Sequence, residues 1–171
     1  MVLTIRFDWA GVAPLCELSI IACMPGLMII AHAPLASSLK TVAEHAYPEC
    51  AGTIEALDVS PGMAVEEVES LARLMLQRVR NPCAIVFTDV FGATPCNVAQ
   101  RLAESAQVKV IAGVNVPMLW RTLCYSAEPL DAVVSRAMVG ATQGVLQVAS
   151  AKPQNQTLNI GDHGQDLHND Q

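Results

Sequence analysis

Charge and aromaticity are both scarce in this chain. Of its 171 residues, 15% are charged and 4% are aromatic, against 52% that are apolar. The low charge excludes a disordered, self-repelling polymer, and the low aromatic content leaves Val, Ile, Leu, Met and Ala to build the core. No cluster of Lys or Arg offsets the formal net charge of −6, which argues against a nucleic-acid surface or an anionic membrane patch. Six cysteines are scattered without a C-x-x-C pair, and no histidine stands at metal-ligand spacing, so neither a metal nor another cofactor is called for. This is not a small secreted disulfide framework, and the cysteines read as reduced thiols of a cytoplasmic protein. What remains is one globular domain, long enough to bury about 70% of its unfolded surface.

A continuous membrane span is also lacking. Residues 18–36 form an apolar window, but Pro25-Gly26 breaks it and His32 sits inside it, so stable insertion is not expected. A cleavable signal fits poorly, because the leader sets one Arg6 against Asp8 and Glu17 interrupts its apolar section. The stretch IIAC, Ile20 to Cys23, resembles a bacterial lipoprotein cleavage box and keeps a lipid-anchored reading open. Residues 1–23 show no clean period and read as an extension upstream of the functional domain, a start-site artefact among its explanations. Residues 24–150 read as the domain, and residues 151–171, rich in Asn, Gln and Asp, as a disordered polar tail.

Within the domain, short apolar runs alternate with helical periods. Strands are expected at Leu27–Ala31, Thr53–Val59, Cys83–Thr88 and Val108–Ala112, and helices at 36–46, 64–80, 95–105, 116–125 and 127–142. The clearest helix, 64–80, places Glu66, Glu67 and Glu69 early and Arg73, Arg78 and Arg80 late, the order that complements the helix dipole. Strands alternating with helices imply right-handed βαβ units. The expected fold is therefore α/β: a doubly wound, mainly parallel sheet with helices on both faces. A short strand-like segment follows at 145–149.

Sites in such sheets gather at the carboxyl ends of the strands. There this chain carries AHAPLA after the first strand, TDVFGATPCN at the third and AGVNVPML at the fourth. His32 ends an apolar run, Asp89 follows Thr88, Gly92 permits a tight turn, and Thr94-Pro95 reads as an N-cap with proline at the first helical position. A helix start offers N–H groups to an anion, and a carboxylate on one imidazole nitrogen frees the other as a nucleophile; together they fit phosphoryl chemistry. It is not a Walker loop, since no GKS or GKT occurs. On spacing alone, a structural His32 and a capping Asp89 remain open. His45 reads as a surface residue, His163 and His168 as tail residues, and Cys96 as small packing, with no base in sequence to support thiol catalysis.

The segments LMIIAHAPLASSL, FTDVFGATPCNVAQRL and VIAGVNVPML resemble, in order and over roughly residues 26–150, the IIA component of the mannose/fructose-type phosphotransferase system (PTS). The resemblance implies a phosphohistidine at His32, a carboxylate partner at Asp89, and a phosphate-binding set of Gly92, Thr94 and Asn115, with Pro117 in the flanking loop. It implies a homodimer in which a C-terminal antiparallel edge strand, here 145–149, is exchanged between subunits. Its partners would be the phosphocarrier protein HPr as donor, and a IIB component or a regulatory target downstream. Alternatives are donation to a dihydroxyacetone-kinase-type acceptor and a non-catalytic regulatory module with the same fold. In-line approach of a carrier histidine calls for an apolar rim, for which Leu35, Val90, Phe91 and Met118 are the candidates. Asp89, at a strand end, is expected to be partly solvated. The chain departs from the family pattern at Ala33 and Ala93, where glycine is usual, at Thr94 for serine, and at Cys96.

Overall fold

Two strands that are apolar up to their last residue, Gly26–His32 (β1) and Ala84–Thr88 (β3), form the centre of a four-stranded sheet. The structure is a computed structural model, and it describes residues 24–51 and 54–148. Ile54–Val59 (β2) and Val108–Ala112 (β4) flank the central pair, giving the order β2-β1-β3-β4 with every pairing parallel. Central parallel strands are covered on both faces, which is why β1 and β3 read as continuous apolar runs rather than as alternating ones.

Side-chain alternation along the strands separates two cores. Leu27, Ile29, Ala31, Ile85 and Phe87 face the helices α1 (Leu35–Ala46), α5 (Val116–Cys124) and α6 (Leu130–Gln143). Met28, Ile30, Ala84 and Val86 face α3 (Val65–Val79) and α4 (Thr94–Leu102). A short helix, α2 (Pro48–Ala51), follows α1. Gly26 is required by close approach, since a Cβ there would run into the carbonyl of Val79 at the end of α3. On the surface, Glu69 holds Arg73 of its own helix and Arg101 of α4, stitching that helix pair together.

The expected elements form, with shifts at their ends. The third long helix stops at Leu102 rather than at residue 105, because the Ala103 N–H turns back to the carbonyl of Gln100. The last helix starts at Leu130 rather than at 127; Pro129 disfavours a helical residue before it. The apolar window that ends at residue 36 is, over its described part, β1 and the start of α1. Among the described residues no helix is long and apolar enough to cross a membrane. The strand expected at 145–149 is not formed among the described residues. Gly144 ends α6 against Pro117, and Val145, Leu146 and Val148 leave the body fully exposed without a sheet partner. Residues 1–23, Ala149 and the polar tail lie outside the described residues.

Candidate active site

Strand order decides where the site forms. From β1 the chain moves outward to β2, then crosses back to β3 and β4, so the crossovers diverge between β1 and β3 and open a crevice at their carboxyl ends. His32 is the last residue of β1, and Asp89 follows the last residue of β3. The parallel register pairs Ile30 with Thr88, which brings the two chain ends side by side.

Asp89 makes three hydrogen bonds. Its Oδ2 accepts the backbone N–H of His32 at 2.9 Å and lies 2.6 Å from His32 Nδ1, while Oδ1 accepts the N–H of Val90 at 2.8 Å. A carboxylate only accepts, so in the neutral ring Nδ1 carries the proton and Nε2 the lone pair. Among the described residues no hydrogen-bond partner meets Nε2. The imidazole is 55% exposed and the Asp89 side chain 9% exposed, so the half-buried carboxylate keeps a small solvated part, in line with the expectation for a strand end. Burial pushes the Asp89 carboxyl up, but the His32 backbone N–H, the His32 ring and the Val90 N–H together outweigh it and hold the group below the ordinary carboxylate range.

The loop after β4 braces this pair from behind. Gly113, at φ +87°, donates its N–H to the carbonyls of both Thr88 (2.9 Å) and Asp89 (2.8 Å), and Val114 donates to Thr88 at 2.9 Å. Asn115 caps α5 by accepting the Met118 N–H at 2.9 Å, and its amide donates to the carbonyl of Ala141 in α6 at 3.2 Å. Its oxygen and one amide hydrogen are engaged in these ties, so Asn115 clamps α5 to α6, and it does not border the cavity beside His32. Met118 is likewise corrected. It faces inward from α5, is 2% exposed and belongs to the core, so it cannot serve as a docking residue.

An open cavity of about 340 Å³ borders His32, with Ala33 and Thr94 on one side and Val59 to Met63 on the other. Thr94 is the first residue of α4 and Ala93 the N-cap, so the Thr94 hydroxyl is not used in capping as the sequence implied. No acceptor takes the N–H of Thr94 among the described residues, and Thr94 is the residue of this helix start that borders the cavity. Gly92, at φ +83°, shapes the loop and does not border the cavity; Asn97 donates to its carbonyl at 3.1 Å. Ala33 and Ala93 cause no strain, because no described residue other than glycine has a positive φ. Cys96 is 1% exposed, which assigns it to packing and closes the thiol reading. His45 is exposed, as expected.

Sequence reasoning assigned no role to the loop at 60–63, between the strand expected at Thr53–Val59 and the helix expected at 64–80. Met63 borders the cavity, and its sulfur accepts the Ser60 N–H at 3.3 Å. The usable signal was its place after a parallel strand, the same place that singled out the other loops. At the same sheet edge, just past the ends of β1 and β3, Leu35 (38%), Val90 (59%) and Phe91 (77%) are exposed. The loops at this sheet edge carry Asp58, Asp89, Glu66 and Glu67 and no Lys or Arg over residues 33–38, 58–67, 89–97 and 113–118.

The family described as PTS system fructose IIA component matches residues 26–138, within the domain expected at 24–150, and the chain belongs to it. The PTS system mannose-specific EIIAB component of Escherichia coli K12 is 31% identical over 101 residues, a match spanning 57% of this chain and 31% of that protein. The chain therefore spans well under half the length of that relative. Among solved structures, the mannose/sorbose-specific IIA subunit from Enterococcus faecalis superposes with a TM-score of 0.69 at 19% identity, covering 76% of this chain and 98% of that one. The phosphotransferase system component EIIA from Streptococcus agalactiae gives a TM-score of 0.65 at 22% identity, covering 72% and 97%. At these identities the two structures establish the α/β fold.

The depressed Asp89 sets a pH dependence. A carboxyl lowered on folding contributes stability that is fully present above its unfolded value, about 3.9, and is lost as pH falls through the folded value. The stability difference between the parent chain and Asp89→Asn should therefore shrink as pH falls below about 4. Urea unfolding at a series of pH values checks this; a difference that grows as pH falls below about 4 contradicts it.

Proposed function

We propose that the chain is a cytoplasmic phosphohistidine carrier. His32 accepts a phosphoryl group from the phosphocarrier protein HPr and passes it to a IIB component, or its phosphorylation state is read by a regulatory target. The observation that carries this reading is the 2.6 Å contact of Asp89 with Nδ1, which leaves Nε2 nucleophilic in an open cavity. In the step itself the Nε2 lone pair forms a bond to phosphorus while the donor's N–P bond breaks, its electron pair returning to the donor imidazole. The His32 ring becomes cationic, keeps its Nδ1 proton, and Asp89 stabilises the charge. Thr94, the first residue of α4, lines the cavity that the phosphoryl oxygens would enter, so its hydroxyl and main-chain N–H are the groups assigned to hold them. A non-catalytic module would have no use for a pre-set tautomer, and donation to a dihydroxyacetone-kinase-type acceptor would use the same group with a different recipient. The homodimer implied by the family belongs to this proposal, with the exposed Val145–Val148 segment as the strand to be exchanged.

With phosphoenolpyruvate and the two general carrier proteins, the parent chain should acquire an acid-labile, alkali-stable phosphoryl label, and His32→Ala should acquire none. Asp89→Asn keeps the shape, removes the charge and lets the amide favour the wrong tautomer. The analogous swap in a serine-protease triad costs about 10⁴, and a loss of about 10²-fold in labelling rate is expected here, where no proton leaves the nucleophile. A label retained in His32→Ala would overturn the assignment.

The docking face combines the apolar residues Leu35, Val90 and Phe91 with an acidic border, so it fits a donor whose active histidine lies among apolar and basic side chains. Phe91→Glu should leave the melting temperature unchanged and lower kcat/KM for transfer from HPr by about tenfold, the equivalent of ~1.4 kcal/mol of lost contact. Unchanged transfer kinetics would place the docking surface elsewhere.

A further inference from the structure

A second cavity, about 260 Å³, lies along the outer face of α5, between α1 and α6. Its lining includes Tyr47, Pro117, Trp120, Arg121 and Gln143, none of which borders the His32 cavity. Arg121 stands apart from the other described cations. Lys40 pairs with Glu44, Arg73 with Glu69 and Glu104, Arg78 with Glu55, Arg101 with Glu69, Lys109 with Asp131 and Arg136 with Glu128. Arg80 donates to the Pro82 carbonyl and to Ser105. The Arg121 guanidinium has neither a carboxylate nor a hydrogen-bond partner among the described residues.

Its placement is built rather than loose. The stem lies on Gly140 of α6, where an added Cβ would run into Arg121 Cβ and Cγ, so the missing side chain forms the groove that seats the arginine. One turn further along, Gly144 receives Pro117 in the same manner. The aromatic wall is equally fixed. Tyr47 and Trp120 meet edge to face with centroids 6.4 Å apart and planes at 72°, and the Tyr47 hydroxyl lies 2.9 Å from Cys124 Sγ. An arginine whose stem is held loses less conformational entropy on meeting an anion, and its planar fork matches carboxylate and phosphate oxygens. Trp120, 41% exposed, offers a ring face beside that fork.

We propose that this cavity binds a small molecule carrying an oxyanion, carboxylate or phosphate, on a flat apolar body. The oxyanion sits on the Arg121 guanidinium and the body lies against Trp120, with the Gln143 amide as a further polar contact. The inference does not depend on the chemistry assigned to His32.

Phenyl phosphate and benzoate supply the two oxyanions on one body, and benzyl alcohol supplies the body without charge. In ¹H–¹⁵N NMR titrations of the full chain, both anions should shift the Trp120 indole and Arg121 Nε signals saturably, the tighter one identifying the preferred oxyanion, while benzyl alcohol leaves them in place. Arg121→Gln, an exposed change that spares the fold, should weaken binding at least tenfold, and His32→Ala should leave it unaltered. Shifts confined to His32, Thr94 and their neighbours, or equal binding by Arg121→Gln, would overturn the proposal.

Discussion

The structure of the site depends on one hydrogen bond, from His32 Nδ1 to Asp89, made at the place where the sheet changes direction. A doubly wound sheet leaves a crevice there for topological reasons. What the chain adds is a histidine at the end of one central strand and an aspartate just past the end of the other. Neither residue is held by its own loop alone. The His32 N–H and ring both donate to the same carboxylate oxygen, so that oxygen fixes the strand end and the tautomer together. The peptide that carries Asp89 is in turn held by Gly113 and Val114. The site is thus prearranged by main-chain contacts among three strand ends, with little left to side-chain mobility.

The same architecture separates charges. Described Lys and Arg side chains stand on the flanks and lower parts of the helices and on β4, most of them in ion pairs, while the active edge carries carboxylates and apolar groups. Individual surface pairs of this kind contribute little to stability, about 0–1 kcal/mol each. Their arrangement matters more for recognition, because like charge repels unsuitable partners and opposite charge steers suitable ones.

Much of the fold was legible because its signals are local. Buried parallel strands are short and uniformly apolar, helix 65–79 has both the apolar period and the dipole-matched charge order, and Asn81-Pro82 stops it. His32 and Asp89 were legible because each interrupts or follows a strand at its carboxyl end. The misreadings share a physical cause: a residue's sequence neighbourhood does not say which way its side chain points. Met118 and Leu35 both belong to loops or helix starts near the site, yet the first turns inward to the core and the second outward. Asn115 carries the right chemistry for an anion, and its structural tie to α6, made 26 residues away in sequence, was not visible beside it. The cap was read one position late, at Thr94 instead of Ala93, since Thr-Pro fits equally as N-cap and N1 or as N1 and N2. The edge strand at 145–149 requires a partner ladder, and the chain by itself does not supply one.

The central claim is that Asp89 sets the protonation of the His32 ring before any phosphoryl group arrives. Long-range ¹H–¹⁵N correlation spectra of the ring in the unphosphorylated full chain, at a pH where His32 is neutral, test it most directly. The account predicts a protonated Nδ1 and an unprotonated Nε2 in the parent chain, with that preference lost in Asp89→Asn. A parent ring protonated at Nε2, or a tautomer unchanged by Asp89→Asn, would contradict it.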